Sequence, residues 1–130
     1  MKIPEEVREI FENKKPHQLA TTSKEGIPNT SFIGATYLRD GETIVIVDNY
    51  MNKTCCNILS NPNVAILIRN DRLAYQLKGK CRYCTEGPEY EEARRWMSAK
   101  SKKYPAKGVL IVRVEEIYYS TGDERGGQKI

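Results

Sequence analysis

At 130 residues and 14.9 kDa, with 39% hydrophobic and 29% charged residues, the chain is the size of one folded domain with a small core. No apolar run approaches the ~20 residues that span a bilayer, so no membrane function is expected. The net charge of +4 is unevenly placed, with residues 1–65 slightly acidic and residues 66–130 carrying the whole excess.

In chain order, the first element is a helix over about residues 4–14. Pro4 suits a first turn, Glu5 and Glu6 favour its positive end, and Val7, Ile10 and Phe11 share one face. This acidic, amphipathic start does not have the basic-then-apolar pattern of a secretory leader, and a cytoplasmic location is expected. The four cysteines are then free thiols. "HQLATTS" and "NTSFIGATYL" read as two strands joined by a turn at "KEGIP". "RDGE" carries the Asp-Gly hairpin signal, and "TIVIVDN" is the return strand.

A short helix over residues 53–60 follows and stops at "NPN". "VAILIRN" is nearly all apolar and β-branched, which predicts a strand covered on both faces. "RLAYQLKGKCRYCT" is a longer, alternating strand. "GPEYEEARRWMSAKSKK" is a third helix, with Pro88 and glutamates at its start and lysines at its end. "GVLIVRVEEIYY" is the last strand, and "STGDERGGQKI" is a polar tail. Neither a repeat nor a linker divides the chain, so residues 1–130 are expected to form a single domain. Six strands linked mostly as hairpins, with three helices, predict a mainly β fold: an antiparallel barrel whose openings the helices cover. No phosphate-binding glycine loop follows any strand, which argues against a doubly wound nucleotide fold.

Three features could carry chemistry. Cys81 and Cys84 have C-x-x-C spacing but lie within a strand, where residues three apart point to opposite faces. Cys55 and Cys56 are adjacent on a helix and diverge by about 100°. With His17 the only histidine, no four ligands converge, and no metal site is expected; the cysteines are read as core or wall residues. The stretch Asn52-Lys53-Thr54 opens the second helix. Asn52 suits an N-cap, and Lys53 and Thr54 are expected to face outward, where free N–H groups, an ammonium and a hydroxyl could meet one phosphate. Capping alone explains the same residues. The basic stretch Arg94, Arg95, Lys100, Lys102, Lys103, Lys107 suits either a solvated helix face or a nucleic-acid contact, though no aromatic stacking platform accompanies it in sequence. No catalytic triad or carboxylate pair stands out, so any chemistry is expected to come from a bound cofactor.

The order and spacing of "HQLATTSKEGIPNTSFI", "LRDGETIVIVDNYMNKTCCNI", "NPNVAIL", "LKGKCR", "EGPEYEEA" and "KGVLIVRVEEIYY" resemble the pyridoxamine 5′-phosphate oxidase-like, FMN-binding split-barrel family, over about residues 5–119. The resemblance implies a six-stranded antiparallel split barrel that forms a homodimer, with FMN in grooves between subunits. The flavin phosphate would meet Lys53 and Thr54. Its ring and ribityl chain would run along Asn29, Thr30, Ser31 and Phe32, with Asp48, Asn49, Tyr50 and Met51 on the other side. The partner would add Tyr104, and its tail over 119–130 would close the groove. Such a protein passes electrons or hydride between FMN and a small molecule or protein, or carries the flavin without turnover. Deazaflavin-binding members keep that cofactor open as well. The family's true oxidases hold substrate phosphate with a C-terminal Arg-x-His. This chain has no histidine after His17, so it is not expected to oxidise pyridoxamine phosphate.

Overall fold

The computed structural model describes residues 1–130. Three helices, α1 (Glu5–Asn13), α2 (Lys53–Ser60) and α3 (Pro88–Lys100), surround one antiparallel sheet. Its strands are β1 (His17–Thr22), β2 (Pro28–Ile33), β3 (Thr36–Leu38), β4 (Thr43–Asp48), β5 (Asn63–Arg69), β6 (Ala74–Cys84) and β7 (Gly108–Tyr119). Their spatial order is β2-β1-β5-β6-β7-β4-β3. This is the mainly β split barrel expected, with seven strands rather than six.

The extra strand has a specific origin. "NTSFIGATYL" is not one strand but two, because the chain changes partners at Gly34-Ala35. β2 pairs with β1 at one end of the sheet, and β3 pairs with β4 at the other. The two-residue link ties the sheet's opposite edges together, so the sheet has to curl. The Val47 N–H donates to the Ala35 carbonyl at 2.9 Å and holds that link against β4.

Curling separates an inner from an outer face. The inner face forms the main core, where Leu19, Ile44, Ile46, Ile66, Leu77, Leu110, Val112 and Ile117 meet. α1 closes this core with Val7, Ile10 and Phe11, and α2 contributes Ile58. These two helices cover the barrel as expected. The third does not: α3 lies on the outer face, where Ala93 and Met97 pack on Val45, Val47, Val109 and Ile111. β4 is consequently buried at every position.

β5 is the reverse case. It was expected to be covered on both faces, yet its burial alternates, with Leu67 36% exposed. No helix of this chain lies over its outer side, which explains the difference. A register shift between Lys78 and Gly79 lets β6 follow the curl. A Cβ at Gly79 would stand 2.0 Å from the Arg113 carbonyl oxygen, so only glycine permits that approach. No helix is long and apolar enough to cross a membrane.

Candidate functional site

The outer groove between β2, the Asp48–Asn52 turn and the start of α2 holds a cavity of about 500 Å3. That volume lies within the ~300–1,000 Å3 of small-molecule and cofactor sites. β2 is a sheet edge, and an edge strand leaves part of its backbone N–H and C=O groups unpaired toward the groove. Asn29, Thr30, Ser31 and Phe32 line that side. Asn49, Tyr50 and Met51 line the other, and Lys53 and Thr54 close the α2 end. Of the residues that the family resemblance assigns to the flavin, only Asp48 and Tyr104 do not line this cavity. Ile33, Gly34, Ala35, Val47 and Asn52 line it as well. Gly34 and Ala35 escaped the sequence reading because "NTSFIGATYL" looked continuous; the Gly-Ala step within it was the available signal.

Alternation along β2 sorts its residues. Asn29 and Ser31 face α2: the Asn29 Nδ2 donates to the Thr54 and Thr21 hydroxyl oxygens at 3.2 and 3.1 Å, and the Ser31 and Thr54 hydroxyls lie 3.5 Å apart. Thr30 and Phe32 face the opposite, uncovered side, and Phe32 is 71% exposed. Thr54 is thus not outward, as expected, but 5% exposed inside this polar cluster. The cysteines are displaced in turn. Cys55 is half-buried and Cys56 exposed, because Thr54 and Ile58 occupy the inward positions of α2. Cys81 is buried in the main core and Cys84 lies by α3, on opposite faces as strand geometry requires. No cluster of His, Cys, Asp or Glu could hold a metal ion.

Asn52 occupies the N-cap position of α2, but its side chain makes no capping hydrogen bond. The first-turn N–H groups of Lys53, Thr54 and Cys55 therefore lack both an intrahelical acceptor and a side-chain cap. With the Lys53 ammonium beside them, this end of the cavity suits an anion.

Asp48 does not line the cavity and instead organises the turn beside it. Its carboxylate is 0% exposed and shapes the turn from beneath. One oxygen accepts the Met51 N–H at 2.8 Å, and the other accepts the Tyr83 hydroxyl at 2.6 Å. The Lys107 ammonium stands 3.9 Å from Asp48 and donates to the Met51 carbonyl at 2.6 Å. Burial, and then the bond to Asp48, push the Tyr83 phenol well above its ordinary range, so it remains a donor. Tyr83 reaches Asp48 by lying over Gly108, where a Cβ would fall 2.2 Å from its hydroxyl. Asn49 is also anchored, accepting the Ala106 N–H on its Oδ1 at 2.9 Å.

Tyr104, expected from a partner, stands edge-on to Tyr50 of its own chain at 6.2 Å between ring centres. It lines a second cavity of about 490 Å3 that shares Gly34, Ala35 and Asn49 with the first. Trp96 is its aromatic wall, with the Lys100 and Lys15 ammonium groups 5.7 and 6.0 Å from the ring centre. Burial and the nearby Lys100 hold the Lys15 pKa below its ordinary value.

The basic stretch is partly engaged within the chain: Arg94 pairs with Glu91 at 3.2 Å, Lys103 lies over the Tyr104 ring, and Lys107 serves the turn. The tail does not extend away. It turns back on its own β7, with the Gly127 N–H donating to the Tyr119 carbonyl and the Ile130 N–H to that of Ile117.

With this geometry, the similarities to known proteins are informative. A family model described as pyridoxamine 5′-phosphate oxidase matches residues 3–121. An uncharacterised protein of Methanocaldococcus jannaschii is 36% identical over 121 residues, covering 91% of this chain and 80% of the relative. The structure of HupZ from Group A Streptococcus superposes with a TM-score of 0.83 at 27% identity, over 96% of this chain and 99% of that one. An FMN-binding protein from Syntrophomonas wolfei superposes with a TM-score of 0.74 over 86% of this chain and 81% of that one. At 18% identity, that last likeness shows the fold alone.

Proposed function

The chain belongs to the pyridoxamine 5′-phosphate oxidase family, and from that premise we propose that it is a flavoprotein that binds FMN in the β2–α2 groove and works as a homodimeric oxidoreductase. The observation that carries the reading is the α2 terminus. Its first-turn N–H groups are uncapped by Asn52 and open into a cavity that Lys53 and Thr54 also line. A phosphate there gains charge-assisted bonds from an ammonium and helix-end N–H groups together.

The remaining residues fit the other parts of the group. Asn29, Ser31 and Thr54 offer amide and hydroxyl partners to a polyol chain. The β2 edge and the Asn49–Met51 turn offer backbone groups and an aromatic side chain, Tyr50, to a planar ring. The bound flavin would supply the electron transfer, and the chain would tune it through hydrogen bonds. The adjoining cavity, with Lys15, Lys100 and Trp96, would receive an anionic substrate or acceptor. A second copy would cover the outer face of β1, β2, β5 and β6, where Phe32 and Leu67 are exposed.

A spectrum tests this directly. Purified protein is expected to be yellow, absorbing near ~450 nm, and to release FMN on denaturation. Colourless protein that takes up no added FMN would reject the proposal. A second reading, carriage of flavin without turnover, draws on one observation: Tyr50 and Lys53 are the only ionisable side chains lining the groove. Steady-state reduction by NADH or NADPH and reoxidation by an acceptor separate the two readings.

A further inference from the structure

Beyond the N-terminal end of α3, the outer face of the sheet forms another cleft, of about 310 Å3. It shares no residue with the groove or its neighbouring cavity. The register explains its chemistry. Thr43 of β4, Arg113 of β7, Lys80 of β6 and Asn63 of β5 form one cross-strand row. Arg82, two residues beyond Lys80, points to the same face. Arg39 enters from the β3–β4 hairpin, and Ile111 gives an apolar floor.

Four cations therefore converge here, and the acids nearby do not balance them. Glu89 is the carboxylate at the rim. It is held by Arg82 at 2.6 Å and by Arg39, and these two hydrogen bonds pull its pKa down to about 2. Asp40 accepts the Thr43 hydroxyl at 3.2 Å and the Glu42 N–H at 3.1 Å. Lys80 donates one bond to the Asn63 amide oxygen. The Arg113 side chain makes no hydrogen bond and no ion pair within the chain, and it stands directly opposite Lys80. Like charges facing each other across strands destabilise a sheet, so folding alone does not favour this pair.

We propose that this cleft is a second ligand site, for the diphosphate group of a small molecule. The guanidinium of Arg113 would bind phosphate oxygens as a fork, and Lys80 would act as a point charge beside it. Four cations against Glu89 and Asp40 leave an excess of two positive charges, which suits the doubly or more negative diphosphate group and exceeds what one more carboxylate neutralises. The volume exceeds the needs of a single phosphate.

The test is calorimetric titration of the purified protein at low salt with inorganic pyrophosphate and, separately, with ADP. One site per chain is expected. Arg113→Gln with Lys80→Gln should weaken binding by about tenfold or more, the scale of losing two charge-assisted bonds. Flavin content should not change in that variant. Its thermal midpoint should be equal or higher, because a like-charge pair is gone. Lys53→Ala should leave pyrophosphate affinity intact, which separates this cleft from the flavin groove. Tighter binding of ADP would identify a nucleotide ligand, and equal binding the free oxyanion; both outcomes support the site. No binding at low salt, titration unchanged in the double variant, or loss on Lys53→Ala instead would overturn it.

Discussion

β4 and β5 are both six- or seven-residue aliphatic strands, and in sequence β5 looks the more deeply buried. In the fold their positions are opposite. α3 covers the outer side of β4, while the outer side of β5 has no cover within the chain. Apolar composition therefore reports that a strand needs a cover, not that its own chain provides one. Beside the bare face of β5 and β1 lies the β2 edge, and along that edge runs the groove. Beside the covered face lies the hydrogen-bonded turn that forms the groove's other wall. The proposed homodimer follows from this asymmetry.

Paired substitutions probe the contrast most strongly. Ile111 is 4% exposed beneath α3, and Ile111→Ala should cost about 2–5 kcal/mol in urea unfolding. Leu67→Ala should cost less than about 1 kcal/mol within the monomer, as an exposed site would. Leu67→Asp should convert dimers to monomers in light scattering. An equal loss of stability at Ile111 and Leu67 would erase the distinction between the faces.

The turn beside the covered face comes next. Asp48→Ala strands the Tyr83 hydroxyl and the Met51 N–H, and should cost about 2–4 kcal/mol of stability. FMN affinity should fall with it, because Met51 and Asn49 are no longer held. Tyr83→Phe should do less harm, since it removes one bond of the set.

A smaller effect belongs to the open side. Lys53→Ala should weaken FMN retention by about 1–3 kcal/mol, the scale of a charge-assisted hydrogen bond, without moving the urea midpoint of the apoprotein. Unchanged FMN affinity would remove Lys53 from the site.

The smallest effect is one of pH. His17 is buried at the start of β1, stacked on Phe11 at 4.5 Å with its Nε2 2.9 Å from the Phe11 carbonyl oxygen, and its Nδ1 has no partner. Burial lowers its pKa from the ordinary 6.5. The unfolded chain then takes up a proton that the folded chain resists. Stability should be complete above pH 6.5 and decline as the pH falls below it. His17→Leu should flatten the unfolding midpoint between pH 7.5 and 5.5. The Glu89 ion pairs act in a lower window, present above its ordinary 4.5 and lost as the pH falls to about 2.

Most of the fold was legible because most of its signals are local. Helical periodicity in Val7, Ile10 and Phe11, the Asp40-Gly41 turn and the alternation of β6 each depend on residues a few positions apart. The α2 terminus was legible for the same reason. Thr54 was misread because burial depends on what stands opposite, and that is Asn29 and Ser31, far away in sequence. Asp48 is placed beside the flavin by the family resemblance alone, and turn chemistry fits the same position equally well in sequence. Its partner Tyr83 lies 35 residues on, across β7.

Local sequence signals specify most of the helices and strands, an antiparallel barrel and the anion-suited start of α2, while the stretches lining the rest of the groove were legible only through the family resemblance. Backbone periodicity, turn chemistry and helix-end preferences are short-range and act before any distant contact exists. The folded chain alone settles that Gly34-Ala35 joins the sheet's two edges. It likewise settles that α3 covers one outer face and leaves the other bare, and that Arg113 and Lys80 meet without a counter-charge. Those outcomes depend on how far the sheet curls and on which surfaces remain to be buried, which no local window of the chain contains.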